Sequence, residues 1–192
     1  MAKLYFYHAP MNAGKSTALL QAAFNYHERG MRTMLFTAGI DDRHEPGMIR
    51  SRIGLSAEAV PFAGDTDLLA LIAAYQAIGG LGCVLVDEAQ FLTRAQVLQL
   101  CTVCDTLGVP VLCYGLRTDF RAELFEGSAA LLGLADALVE IKAVCDCGRK
   151  ATMNLRLDDS GHAATSGAQI EIGGDDRYIA LCRRHYRERI VL

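Results

Sequence analysis

The chain has no surplus of positive charge. Its 19 Lys and Arg stand against 22 Asp and Glu, a net charge of −3, which excludes a general polyanion binder such as a duplex-DNA protein. It lacks a recognisable secretory leader, because only one Lys and about six apolar residues precede the first loop. It also lacks an unbroken apolar run of membrane-spanning length. Leu68 to Val86 contains no charge, but Gln76 and Gly79-Gly80 interrupt it and Asp87-Glu88 follow at once; a helix, a turn and a buried strand explain it. Charged residues are scarce at 21% while hydrophobic ones reach 52%, which excludes a disordered chain. Seven Cys without a leader imply a reducing cytosol, with Cys as core filler or metal ligand. The expectation is a cytoplasmic protein of 192 residues, one ordinary domain with a small appendage, binding neither membrane nor nucleic acid.

One stretch organises the rest. Leu4-Tyr5-Phe6-Tyr7 reads as a buried strand, Ala18 to Phe24 as a helix, and between them stands His8-Ala9-Pro10-Met11-Asn12-Ala13-Gly14-Lys15-Ser16-Thr17. A strand, a tight loop ending in Gly-Lys-Ser-Thr and a helix are the parts of a phosphate-binding P-loop. Backbone N–H groups of residues 9 to 17 would face phosphate oxygens, Lys15 would reach the β- and γ-phosphates, and the Ser16 hydroxyl would ligate Mg²⁺. Ala9 stands where the pattern has its first Gly; the loop closes if Ala9 keeps an ordinary φ.

Thr33 to Thr37 reads as a second strand, implying a parallel sheet with right-handed crossovers. The polar segment Asp41 to Glu45, continued by Arg50-Ser51-Arg52, is either a solvated loop, favoured on charge alone, or a loop carrying charge over the phosphates. Glu58 to Phe62 reads as a short strand, and Asp67 caps a helix reaching about Ile78. Gly82 to Val86 is an apolar strand ending in Asp87-Glu88, the form of a Walker B site. Asp87 would hold Mg²⁺. Glu88 would be a general base, activating water in an ATPase or taking a hydroxyl proton in a small-molecule kinase. Thr93 to Leu107 reads as a helix whose apolar stripe (Val97, Leu98, Leu100, Cys101, Cys104, Leu107) makes Cys101 and Cys104 core residues, not metal ligands. Val109 to Tyr114 is another buried strand, running into the polar loop Gly115 to Arg121; Phe120 and Phe125 either pack that loop or wall a flat substrate. Ser128 to Leu134 reads as a helix and Ala137 to Lys142 as the final strand.

The last third changes character. Cys145-x-Cys147-Gly148 and Cys182-x-x-His185 match a four-ligand zinc site, with unlinked free cysteines the alternative. Four protein ligands leave no open position, so the zinc would be structural. Leu155 to Asp176 is rich in Gly and small polar residues, too long for an ordinary connection, and the zinc would pin both its ends as a lid. Gly173-Gly174 would let backbone approach a ligand, with Tyr178 just beyond.

Taken together, Met11 to Thr17, Ile40-Asp41-Asp42-Arg43, Leu85 to Phe91, Tyr114 to Phe120, Cys145 to Lys150, Ile172-Gly173-Gly174, Tyr178 and Cys182-x-x-His185 resemble the bacterial form of the small zinc-containing thymidine kinases, over essentially the whole chain. The resemblance implies an α/β fold: a P-loop NTPase core like that of RecA with a parallel sheet (1–142), plus a small C-terminal zinc-binding domain carrying a lasso loop (143–192). It implies transfer of the ATP γ-phosphate to the 5′-hydroxyl of thymidine, with deoxyuridine also accepted. Glu88 matches the family's catalytic base, and Asp87 and Gln90 lie with residues 9–17 at ATP. Backbone groups of Gln169, Ile170, Glu171, Ile172 and Gly173 match those that recognise the base. Met11, Phe91, Leu116, Phe120, Phe125 and Tyr178 match the nucleoside pocket. Such enzymes are typically homotetramers inhibited by the end product dTTP. Ala9 and the segment Asp158 to Ala168 depart from the family pattern. Two other classes compete. In a P-loop ATPase module that binds single-stranded nucleic acid or a protein partner, Glu88 would activate water; the acidic balance argues against it. A non-catalytic nucleotide sensor would not need Lys15, Asp87 and Glu88 together.

Overall fold

The computed structural model describes residues 1–40, 47–169 and 177–190. The elements run in order: β1 (Leu4–His8), α1 (Lys15–His27), β2 (Thr33–Ala38), β3 (Met48–Arg50), β4 (Ser56–Glu58), β5 (Val60–Phe62), α2 (Leu68–Ala77), β6 (Cys83–Val86), a 3₁₀ turn (Ala89–Phe91), α3 (Arg94–Thr102) with a π-helical turn (Val103–Leu107), β7 (Val111–Gly115), α4 (Glu126–Leu134), β8 (Ala137–Glu140), β9 (Ala143–Val144), β10 (Lys150–Ala151), β11 (Met153–Arg156), β12 (Tyr178–Leu181) and α5 (Arg183–Arg189).

Six strands form one sheet in the order β5-β2-β6-β7-β1-β8, and every pairing in it is parallel. Both faces are covered, so the strands are largely apolar and their residues divide by parity. Leu4, Phe6, Met34, Phe36, Val84, Val86, Val111 and Cys113 join the core beneath α2, α3 and α4. Tyr5, Tyr7, Leu35, Cys83, Leu85, Leu112 and Tyr114 face α1. Strand order is what assembles the site. Because β6, β7 and β1 are neighbours, the chain segments leaving their carboxyl ends (87–91, 116–121 and 9–14) converge on one edge, where ligands bind in open parallel sheets. A separate apolar cluster, including Cys145, Met153, Leu155, Leu181, Cys182 and Tyr186, lies in the last third.

Several boundaries differ from the sequence reading. The expected strand over Glu58 to Phe62 is two: β4 pairs antiparallel with β3, and β5 pairs parallel with β2, the chain changing sheets at Ala59. The helix after Asp67 ends at Ala77, and the Asp67 carboxylate accepts Ala70 N–H at 3.0 Å. The expected helix over Thr93 to Leu107 widens into the π-helical turn and stops at Gly108, which takes φ 68°. Leu98 does not belong to its apolar stripe: it is exposed, while Val97, Leu100 and Cys104 are buried. Ala137 to Lys142 yields β8, the edge of the parallel sheet but not the final strand, since β9–β12 follow. The segment Asp41 to Glu45 lies outside the described residues.

Gly127 shows how tightly α4 seats the turn after β6. A Cβ at Gly127 would stand 2.6 Å from the carbonyl oxygens of Ala89 and Leu92 and 2.9 Å from that of Gln90. These are backbone atoms and cannot swing aside. Gly127→Ala is therefore expected to destabilise the protein by about 1–3 kcal/mol or more. Gly133→Ala, on the open side of the same helix with nothing within 4 Å, is expected to be neutral or to gain up to about 1 kcal/mol. Urea unfolding of both variants checks the contrast.

Candidate active site

The loop after β1 is tied down at three points. Ala9 N–H donates to Gly115 O at 3.3 Å. Met11 N–H donates to Asn154 Oδ1 at 2.8 Å, and Lys15 Nζ donates to Pro10 O at 3.1 Å. Ala9 is buried and is not among the residues of positive φ, which here are Asn12 at 63° and Gly14 at 82°. A methyl group is thus accommodated where the pattern has Gly. Gly14 precedes α1, so the N–H groups of the first helical turn point out of the sheet edge.

Ser16 Oγ donates to Asp87 Oδ2 at 2.9 Å, joining this loop to the end of β6. Asp87 is buried, held also by its N–H to Phe36 O at 2.8 Å. Burial, then the charge of Glu88, push its carboxyl above the usual carboxylate range, while the Ser16 hydrogen bond and Lys15 act the other way. A buried carboxylate beside a hydroxyl, short of positive charge, suits a divalent cation arriving with phosphates. Glu88 adopts φ 51°, ψ 39°, a left-handed conformation that costs a non-Gly residue about 1 kcal/mol and concentrates at functional sites. Gln90 is buried behind it.

Lys15, Ser16, Asp87, Glu88 and Gln90 line a cavity of about 390 Å³. Met11, Phe91, Leu116, Phe120, Phe125, Gln169 and Tyr178 line the same cavity. Phe91 and Phe125 meet edge to face, centroids 5.9 Å apart. Ala9, Pro10 and Ala13 do not line the cavity; they lie in the loop backbone. Arg50, Ser51 and Arg52, which charge alone made a solvated loop, face the cavity with Ile49 and Ile53 from the β3–β4 hairpin. Ile170, Glu171, Ile172, Gly173 and Gly174 lie outside the described residues.

Three residues to which the sequence reading gave no individual role tie these segments together. Asn154 bridges Met11 N–H and Thr118 O, the latter at 3.0 Å. Two residues on, and so on the same face of β11, Arg156 lies over the Phe120 ring at 3.7 Å and donates to Ser166 O and Ala168 O at 3.0 Å each. Asp119 accepts from the N–H groups of Arg121 and Glu123 and from Gln169 Nε2 at 3.2 Å. The available signal was alternate polar residues in an otherwise apolar run, Met153-Asn154-Leu155-Arg156-Leu157.

Cys145, Cys147, Cys182 and His185 come together, their ligating atoms all within 4.8 Å of one another. Cys147 Sγ and Cys182 Sγ are 3.8 Å apart, and Cys145 Sγ and His185 Nδ1 are 3.3 Å apart. With metal–sulfur bonds of about 2.3 Å, the edge of a zinc tetrahedron is about 3.8 Å, so the donor set fits that ion. Gly148, at φ 77°, closes the first turn by donating to Cys145 O at 2.7 Å. Hydrogen bonds from the Cys147 and Cys182 backbone pull the Cys145 thiol down to about 6, towards the thiolate that binds metal. Cys101 and Cys104 pack instead at the main core.

A family model described as thymidine kinase matches residues 2–186. The chain is similar to a thymidine kinase of Novosphingobium aromaticivorans, 69% identical over 188 residues and 98% of each chain. It is also similar to the thymidine kinase of Zymomonas mobilis, 62% identical over 190 residues, 99% of this chain and 98% of the other. That of Pasteurella multocida is 58% identical over 192 residues, the full length of both.

Proposed function

The chain belongs to the thymidine kinase family, and we propose that it transfers the γ-phosphate of ATP to the 5′-hydroxyl of thymidine, and of deoxyuridine, to give the monophosphate for nucleotide salvage. The observation that carries the reading is one cavity lined both by Lys15, Ser16, Asp87 and Glu88 and by Phe91, Phe120, Phe125 and Tyr178. ATP phosphates lie on the backbone N–H groups of residues 12–17, those of Ala9 and Met11 being bonded within the protein, with Lys15 at the β- and γ-phosphates. Ser16 and Asp87 would hold Mg²⁺ with the ATP, and the ion would supply charge neutralisation at the phosphate oxygens.

Thymidine lies between Met11, Phe91, Leu116, Phe120, Phe125 and Tyr178, its 5′-hydroxyl facing Glu88. Glu88 accepts the hydroxyl proton as the oxygen bonds to phosphorus and ADP leaves. Because the transition state is loose, most of the acceleration comes from alignment and charge compensation, and proton removal adds a smaller factor. The base edge is read by backbone of residues 169–173. That reading favours pyrimidines, since a purine would clash with the lasso and a 4-amino group would face a donor.

Residues 143–192 form a second domain in this reading, with a structural zinc on Cys145, Cys147, Cys182 and His185 holding both ends of the lasso. The resemblance supports a homotetramer, feedback inhibition by dTTP and a cytoplasmic location. No helix among the described residues is long and apolar enough to cross a membrane. A panel of deoxynucleosides incubated with MgATP tests the substrate assignment. Thymidine and deoxyuridine are expected to yield monophosphates and the purine deoxynucleosides none; phosphorylation of deoxyadenosine or deoxyguanosine at a comparable rate would overturn it.

A further inference from the structure

Gln90 is 2% exposed, and its side-chain amide has a fixed sense. Its Oε1 accepts Leu116 N–H at 3.0 Å, and its Nε2 donates to Glu88 Oε2 at 2.5 Å. A backbone N–H can only donate, so the Leu116 end must hold the carbonyl oxygen and the NH₂ end must face Glu88. Leu116 is itself held, since its carbonyl accepts Ser128 Oγ at 2.5 Å and Ser128 is fully buried. Gly115 leaves the amide only the space it fills: a Cβ there would stand 2.8 Å from Gln90 Oε1. A polar chain of one direction therefore runs from α4, through the backbone of the cavity wall, to one oxygen of Glu88.

We propose that Gln90 is the positioning residue of Glu88, its amide oriented by Leu116 N–H so that one carboxylate oxygen is held and the other is presented to the acceptor hydroxyl. The proposal rests on the reading of Glu88 as the base, and it departs from the expectation that Gln90 serves ATP. A glutamate side chain has three rotatable bonds, and Glu88 stands on a left-handed backbone. The Gln90 amide restricts that freedom in a partly buried setting. Leu116 also lines the cavity, so the same amide ties Glu88 to the wall against which the proposed substrate would lie.

The test is a double-mutant cycle on the full chain, with kcat, both KM values and thermal unfolding measured for each variant. Gln90→Met keeps the volume and removes both hydrogen bonds. Gln90→Glu keeps an acceptor for Leu116 N–H but sets a carboxylate against Glu88. Each is expected to lower kcat by about 10- to 100-fold, with KM for MgATP within about twofold of the parent. In a Glu88→Ala background the same changes are expected to cost less than about twofold, because the residue they act through is gone. A raised KM for MgATP with unchanged kcat would make Gln90 an ATP ligand and overturn the proposal. Wild-type kcat in Gln90→Glu would reduce it to a structural tie. An undiminished loss in the Glu88→Ala background would show that it does not act through Glu88. Wild-type kcat in Glu88→Ala alone would instead strike the base reading. If Gln90→Met does not fold, Gln90→Glu completes the cycle.

Discussion

Glu88→Gln is expected to bind MgATP as the parent does and to lose about 10²- to 10⁴-fold in kcat, the span that positioned proton transfer supplies. The substitution keeps the shape of the side chain, and its amide oxygen still accepts from Gln90 Nε2, so the left-handed turn after β6 stays seated. What disappears is the group that receives the hydroxyl proton. A loose transition state puts this loss at the lower part of the range, since the proton leaves late and most of the barrier is met by phosphate charge compensation. Lys15, Ser16 and Asp87 are untouched, so nucleotide affinity is the internal control. Steady-state kinetics with MgATP and thymidine read both quantities. An unchanged kcat would refute the assignment of Glu88.

Cys182→Ala is expected to abolish metal binding and native folding of the last third together. Apparent zinc binding energies for four-ligand sites are about 10–16 kcal/mol, while whole domains are stable by only about 5–15 kcal/mol. The apolar cluster around Leu155, Leu181 and Tyr186 is small, and two of its members, Cys145 and Cys182, belong to the proposed zinc site. Losing it would reach the active site directly, because β11 carries Asn154 on the P-loop and Arg156 on the loop above Phe120. Elemental analysis and thermal unfolding are the readouts: one zinc per chain in the parent, none in the variant, and a lost cooperative transition. Cys101→Ala, at the edge of the main core, is expected to keep its zinc. A Cys182→Ala protein with one zinc and the parental transition would contradict the account.

The parts of the site legible in the sequence were those encoded contiguously. Ala9 to Thr17 and Asp87-Glu88 each follow an apolar strand, and backbone periodicity alone puts both at strand ends. Which strand ends are neighbours was not legible, since the order β5-β2-β6-β7-β1-β8 is fixed by packing between distant segments. The gathering of Cys145, Cys147, Cys182 and His185 was readable because short paired spacings leave few other uses for Cys and His. Asn154 and Arg156 were not readable: a polar residue on a short strand has no local mark of what it touches 143 residues away. The β3–β4 hairpin was hidden by its charges, which suggested solvent, although Arg50 and Arg52 face the cavity. Leu98 misled in the opposite sense, an apolar residue of α3 that stays exposed while its neighbour Val97 is buried.

The most direct test of the central claim is ATP turnover measured with and without thymidine. ADP is expected to appear only when thymidine is present, one for each thymidine monophosphate formed. ADP released at the same rate in the absence of any nucleoside would mean that Glu88 activates water, and would replace the kinase with an ATPase.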